Sequence, residues 1–104
     1  MVGRFWTATA NRDNAKRYVR FFEREVMPQL AKIDGNRGAL VMNRSDGGRV
    51  EITVLTFWDS MAAVEKFAGA DVQVAIIEDE AKSLLERYDD RVKHYDLAIN
   101  ALSF

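Results

Sequence analysis

The chain has 104 residues, 48% hydrophobic and 30% charged, with 15 Lys plus Arg against 16 Asp plus Glu and a net charge of -1. That is the profile of one ordinary globular domain spanning residues 1–104, with no like-charge block to serve nucleic acid or an anionic membrane. The absence of Cys and the lone His94 exclude disulfides, thiolate nucleophiles, Cys-based metal centres and a multi-histidine metal site within one chain.

Residues 4–9 are rich in aromatic and β-branched side chains and run into the polar cluster Asn11-Arg12-Asp13-Asn14, which predicts a short first strand. From about Asp13, the apolar positions Ala15, Tyr18, Val19, Phe22, Val26, Met27, Leu30 and Ile33 recur every three or four residues with charges between them, the pattern of an amphipathic helix. Pro28 cannot donate to the carbonyl four residues back and should bend the last turn, and Asp34-Gly35 should stop it. The apolar run 39–42, the turn residues 45–48 and the β-branched stretch 50–58 read as a hairpin. Asp59 or Ser60 can cap a helix that runs to Gly69 and buries Met61, Val64, Phe67 and Ala68. Residues 72–77 are expected to add a helical turn or two after Asp71, 80–88 a further helix through Ala81, Leu84, Leu85 and Tyr88, and 91–98 the last strand. The order β, α, β, β, α in pieces, β is that of the ferredoxin-like βαββαβ unit, an α+β fold with a four-stranded antiparallel sheet. No apolar run is long enough to span a bilayer, and residues 1–10 lack a signal-peptide layout, so a cytoplasmic location is expected.

Strand parity adds an expectation about assembly. Val50, Ile52, Val54, Thr56 and Trp58 point to one side of the third strand and Thr53, Leu55 and Phe57 to the other. Both sides are apolar, where an open antiparallel sheet with one wet face would alternate. The same face of a second copy is the simplest cover, which predicts a two-fold homodimer.

The segment Val54-Leu55-Thr56-Phe57-Trp58-Asp59-Ser60-Met61-Ala62-Ala63-Val64-Glu65-Lys66-Phe67-Ala68-Gly69, then Glu80-Ala81 and Arg91-Val92-Lys93-His94-Tyr95-Asp96, resembles the antibiotic biosynthesis monooxygenase family of dimeric α+β barrels. Met27-Pro28 and the entry into strand two at 35–39 fit as well. The resemblance implies a dimeric barrel with one apolar pocket per subunit. It extends to cofactor-independent quinone-forming oxygenases, to haem-degrading enzymes and to many proteins of unknown role, so fold alone does not fix function.

The family's roles carry over only in part. In its aromatic polyketide oxygenases a catalytic Asn precedes the strand-end Trp by four positions; Trp58 matches, but Val54 stands where the Asn would be. In its haem-degrading members a helical Trp precedes an iron-binding His by ten positions, and Phe67 and Ile77 stand there instead. His94 is the one side chain suited to proton transfer near neutrality, with Asp96, two residues on, as its orienter. Trp6, Trp58, Phe67 and Tyr95 are the candidate walls of an aromatic pocket, against the alternative that large aromatics simply fill core. Arg4 and Arg91 could receive an acidic ligand, although arginines at strand ends are usually solvated. Two readings follow. One is a cofactor-free oxygenase acting on a small aromatic phenol or quinol; the other is a non-catalytic small-molecule-binding or stress-associated module of the same fold.

Overall fold

The computed structural model describes residues 1–104. Strand β1 (Val2–Asn11) lies between β3 (Arg49–Trp58) and an edge made of two short pieces, β4 (Arg87–Tyr88) and β5 (Lys93–Asp96). Strand β2 (Asn36–Asp46) flanks β3 on the far edge, and every pairing is antiparallel. This is the ferredoxin-like α+β arrangement expected, with its last strand divided.

The β2–β3 hairpin turns on Gly47-Gly48, with Asp46 opposite Arg49. Gly47 has φ 63°, a left-handed position where a side chain would be strained and which suits the twist of a two-residue hairpin. Strand β1 is longer than its apolar stretch suggested, because both ends pair along β3: Val2 with Trp58 and Asn11 with Arg49. Its phase puts Val2, Arg4, Trp6, Ala8 and Ala10 opposite Trp58, Thr56, Val54, Ile52 and Val50. All ten are buried, so one continuous inner face forms the floor of the core.

Helix α1 (Arg12–Phe21) is capped by Asn11, whose side chain accepts from the Asn14 amide at 2.8 Å. It buries Ala15, Tyr18 and Phe21 against the sheet. The accommodation to Pro28 differs from a simple bend. A π-helical segment, Phe22–Val26, closes with the Met27 amide donating to the Phe22 carbonyl five residues back, and α2 (Met27–Ala31) follows with Pro28 in its first turn. There a missing N–H costs little, since first-turn amides have no partner in their own helix. The chain then turns at Gly35 (φ 93°), where an added Cβ would sit 2.6 Å from that of Ala63. Helix α3 (Met61–Ala68) is capped by Ser60 and ends before Gly69, as its sequence indicates.

The last third departs most from expectation. Residues 72–77 are not helical; they form an irregular connection with one bridge, Val74 to Arg91. Helix α4 (Asp79–Leu84) is short, and Tyr88 belongs to β4, opposite Ala8. Apolar residues here answer to the sheet and to α1 rather than to a helical period, so spacing alone misleads. Between β4 and β5 the register along β1 slips, from Ala8 opposite Tyr88 to Phe5 opposite Lys93. Asp89 fills the break: its carboxylate accepts from the Thr7 amide at 3.2 Å and the Thr7 hydroxyl at 2.7 Å, and its carbonyl accepts from Trp6 Nε1 at 2.8 Å.

Candidate functional site

Between the inner face of the sheet and the helices lies a cavity of about 80 Å³, as swept by the centre of a water-sized sphere. Arg4, Trp6, Val54, Thr56 and Val92 form its floor, Tyr18, Phe21, Phe22, Val26 and Leu30 its roof, and Phe67, Ala81 and residues 75–78 its side. Thirteen of the 17 lining residues are apolar, so the few polar groups decide how a guest would be oriented. At the rim, Gln29 Nε2 donates to Glu78 Oε1 at 3.0 Å, and close by Arg24 meets Glu80 at 2.6 Å. Both contacts are exposed and tie the 75–80 segment to the long helix.

The charged group in the wall is Arg4, and the expectation of a solvated strand-end arginine fails. Its phase in β1 turns it inward, where it is only 5% exposed. Its Nη1 donates to the Val72 carbonyl at 2.6 Å and lies 3.0 Å from His94 Nε2, while Nη2 donates to the Val74 carbonyl at 3.0 Å. Its guanidinium carbon stands 5.8 Å from the centre of the Phe67 ring, within cation–π range. No carboxylate pairs with it. Burial accordingly lowers its pKa to about 10, still far enough above neutrality to leave it charged.

His94 is opposite Arg4 on β5. A guanidinium only donates, so His94 Nε2 is the acceptor and the imidazole is neutral with its proton on Nδ1. Burial first, and the adjacent Arg4 charge second, hold its pKa below the ordinary histidine value. Asp96, two residues on, is exposed and makes no hydrogen bond to His94; the group that fixes the ring is Arg4.

The aromatic candidates separate. Trp6 and Phe67 are cavity walls. Trp58 is fully buried behind Phe67, ring centres 5.7 Å apart, and donates from Nε1 to Thr56 Oγ1 at 2.8 Å. Tyr95 stands on the opposite face of the sheet, edge-on to Phe5 at 6.3 Å and 53% exposed. Two cavity groups escape a sequence reading. Tyr18 reads as one apolar position among eight in the helix, yet its hydroxyl has no partner within the protein, although every fully buried side-chain polar atom has one. That oxygen therefore faces open space, and burial raises its pKa, so it is a neutral donor. Thr56, bonded to Trp58 through its oxygen, keeps its own hydroxyl proton available. The signal for Arg4 was present: it shares its phase with Trp6, Ala8 and Ala10.

No family model matches the chain, and no curated protein matches it. Solved structures do. A Bacillus cereus protein assigned to the antibiotic biosynthesis monooxygenases superposes with a TM-score of 0.68 at 16% identity, over 98% of this chain and 97% of its own. A monooxygenase of Streptomyces coelicolor from the gene ActVA-Orf6, solved with the ligand nanaomycin D, gives 0.62 at 13% identity, over 99% and 90%. A dimeric ferredoxin-like protein from an uncultured marine organism gives 0.57 at 7% identity, over 98% and 97%. The chain thus has, across nearly its whole length, the α+β fold of the antibiotic biosynthesis monooxygenase structures.

Proposed function

We infer that this chain is a cytoplasmic, monooxygenase-like protein that binds a small aromatic phenol or quinol in the apolar cavity. The observation that carries the reading is the cavity itself: predominantly apolar, with Arg4, Thr56 and the unpartnered Tyr18 hydroxyl supplying its inner polar groups. A ring can pack against Trp6 and Phe67 while its oxygen meets those donors. The Streptomyces coelicolor monooxygenase of the same fold, solved with the ligand nanaomycin D, supports a small-molecule guest.

Cofactor-free oxygenation of a phenol balances without an external reductant. The phenol and O₂ give a quinone and water: one oxygen atom enters the ring, the other leaves as water, and the phenol supplies all four electrons. The chain's part is to bind the ring and to favour loss of the phenolic proton, since the anion is the electron-rich species that O₂ attacks. A ligand oxygen that takes the Nη1–H of Arg4 frees His94 Nε2 to accept that proton. Asp96 remains in this proposal as a nearby negative charge on the same strand.

Self-association belongs to the same reading. On the outer face of the sheet Phe5, Leu40, Leu55 and Phe57 are half-exposed, with Tyr95 and Met42 exposed, more apolar surface than an isolated subunit usually leaves to water. A second copy covers it through a two-fold contact, as the dimeric state named for the marine relative in fold supports.

The test is oxygen uptake by the purified protein over a panel of monocyclic hydroquinones and phenols, with quenching of tryptophan fluorescence as the binding readout. The expected result is binding of at least one compound and uptake above background that falls about 100-fold or more in His94→Ala, the usual size of a lost proton acceptor. Binding without uptake would leave a non-catalytic binding module of the same fold. Neither binding nor uptake would overturn the proposal.

A further inference from the structure

We propose that the cavity selects aromatic oxyanions over their neutral forms, with Arg4 as the recognising cation and Tyr18 as a second donor. This rests on the cavity being the binding site and adds what it recognises. A guanidinium has five N–H groups, and three are occupied, by the Val72 and Val74 carbonyls and His94. The Nε–H and one Nη2–H remain. No fully buried side-chain nitrogen in the molecule lacks a partner, so the Nε of Arg4 faces open space, and Arg4 is part of the cavity wall.

A buried cation without a counter-ion is costly, because dipoles and a ring face replace only part of its lost hydration. Here two carbonyls, an imidazole and the Phe67 ring stand in for water, and none carries negative charge. An anionic oxygen entering the cavity supplies the missing charge, and its hydrogen bond to the guanidinium is of the strong, charge-assisted kind. A neutral hydroxyl gains only an ordinary hydrogen bond.

The neighbouring ionisable groups bear on the same choice. His94 is neutral and held below its ordinary basicity, so it can take the proton only of a phenol that is already close to ionising. The ligand must therefore be acidic enough to enter ionised, or nearly so. Tyr18, kept protonated by burial, donates to such an oxygen and does not compete as an anion. Glu78, the one carboxylate in the wall, lies at the exposed rim and is engaged by Gln29. There its repulsion is screened by water and salt. The class is thus a one-ring aromatic with an acidic phenol or a carboxylate, the two sources of a planar oxyanion of this size.

The experiment uses 4-nitrophenol, whose ionised form is yellow, with 4-nitrobenzoate as the carboxylate and 4-nitrobenzyl alcohol as a neutral companion. Absorbance titration of 4-nitrophenol with the intact protein in excess should show the bound phenol ionising at least about one pH unit below the free one, a tenfold preference for the anion. Arg4→Gln should abolish that shift while 4-nitrobenzyl alcohol still binds, and Tyr18→Phe should weaken phenolate binding about fivefold. The wild-type titration decides the matter even if Arg4→Gln does not fold. Bound 4-nitrophenol that ionises at or above its free value overturns the role of Arg4, whichever neutral compounds bind. If none of the three compounds binds, the cavity is not the site and the proposal falls with it. Tight binding of 4-nitrophenolate but not 4-nitrobenzoate assigns the phenol as the source, and the reverse assigns the carboxylate.

Discussion

Strand β3 meets two different surroundings along one backbone. Val50, Ile52, Val54, Thr56 and Trp58 are buried beneath the helices, whereas Thr53, Leu55 and Phe57, one residue out of phase, remain half-exposed. The two sets are similarly apolar, so hydrophobicity does not explain their different burial. What separates them is that the chain has helices for one face only: α1, the π segment and α3 all pack on the inner side. The inner face is complete within one chain except for its cavity, and the outer face is left half-exposed.

The sharpest way to break that contrast is a charge on the outer face. Leu55 is flanked by Phe5 and Leu40 across the sheet. Leu55→Glu would place two unpaired carboxylates in a two-fold contact, at a cost of several kcal/mol each. The expected outcome is a well-folded monomer by circular dichroism and analytical ultracentrifugation, where the parent sediments as a dimer at micromolar concentration. A parent that is itself monomeric would end the dimer reading.

The next effect comes from the inner face. Ile52 is 0% exposed, and Ile52→Ala should cost about 2–5 kcal/mol through lost burial and a residual void. Denaturant unfolding in the monomeric Leu55→Glu background measures it, and Leu40→Ala, on the half-exposed outer face, should cost distinctly less in the same background. Equal losses would show that the two faces are not packed differently.

The smallest effect is in the pH dependence. His94 has a folded-state pKa below its ordinary value of about 6.5, so the unfolded chain binds the proton more readily. Its contribution to stability is present above that ordinary value and is lost as pH falls from there toward the folded value. Replacing it with Gln, which can still offer Arg4 an oxygen, removes this titration. The difference in melting temperature between wild type and His94→Gln should therefore shrink or change sign as pH falls below about 6.5. A difference that stays constant across that range would show that His94 is not held neutral by its burial beside Arg4.

The first 69 residues were largely legible because their signals are local. The amphipathic period of α1, the Gly47-Gly48 turn, the alternation of β3 and the Ser60 cap each act within a few residues of their cause. Residues 70–92 were not, because their conformation is set from a distance: Val72 and Val74 are held by Arg4, and Asp89 by Thr7 and Trp6, partners 68 to 83 positions away. The site divides along the same line. Trp6 and Phe67 could be nominated from composition, whereas Arg4 needed the register of β1 against β3 and β5, and Tyr18 needed the absence of any partner for its hydroxyl.

The π-helical stretch Phe22–Val26 sets the phase of the cavity roof. It accommodates one residue more than an α-helical turn would, so each residue beyond it sits about 100° behind the place that unbroken α winding would give it. Phe22 and Val26 face the guest space from this stretch, and Leu30 and Gln29 follow one turn later. Rewinding the stretch as regular α-helix with all its residues kept would swing Leu30 off the roof and Gln29 away from Glu78. The chamber thus depends on winding as well as on chemistry: a tighter coil at an unchanged residue count unroofs it, whereas losing one residue from the stretch would leave the roof in phase.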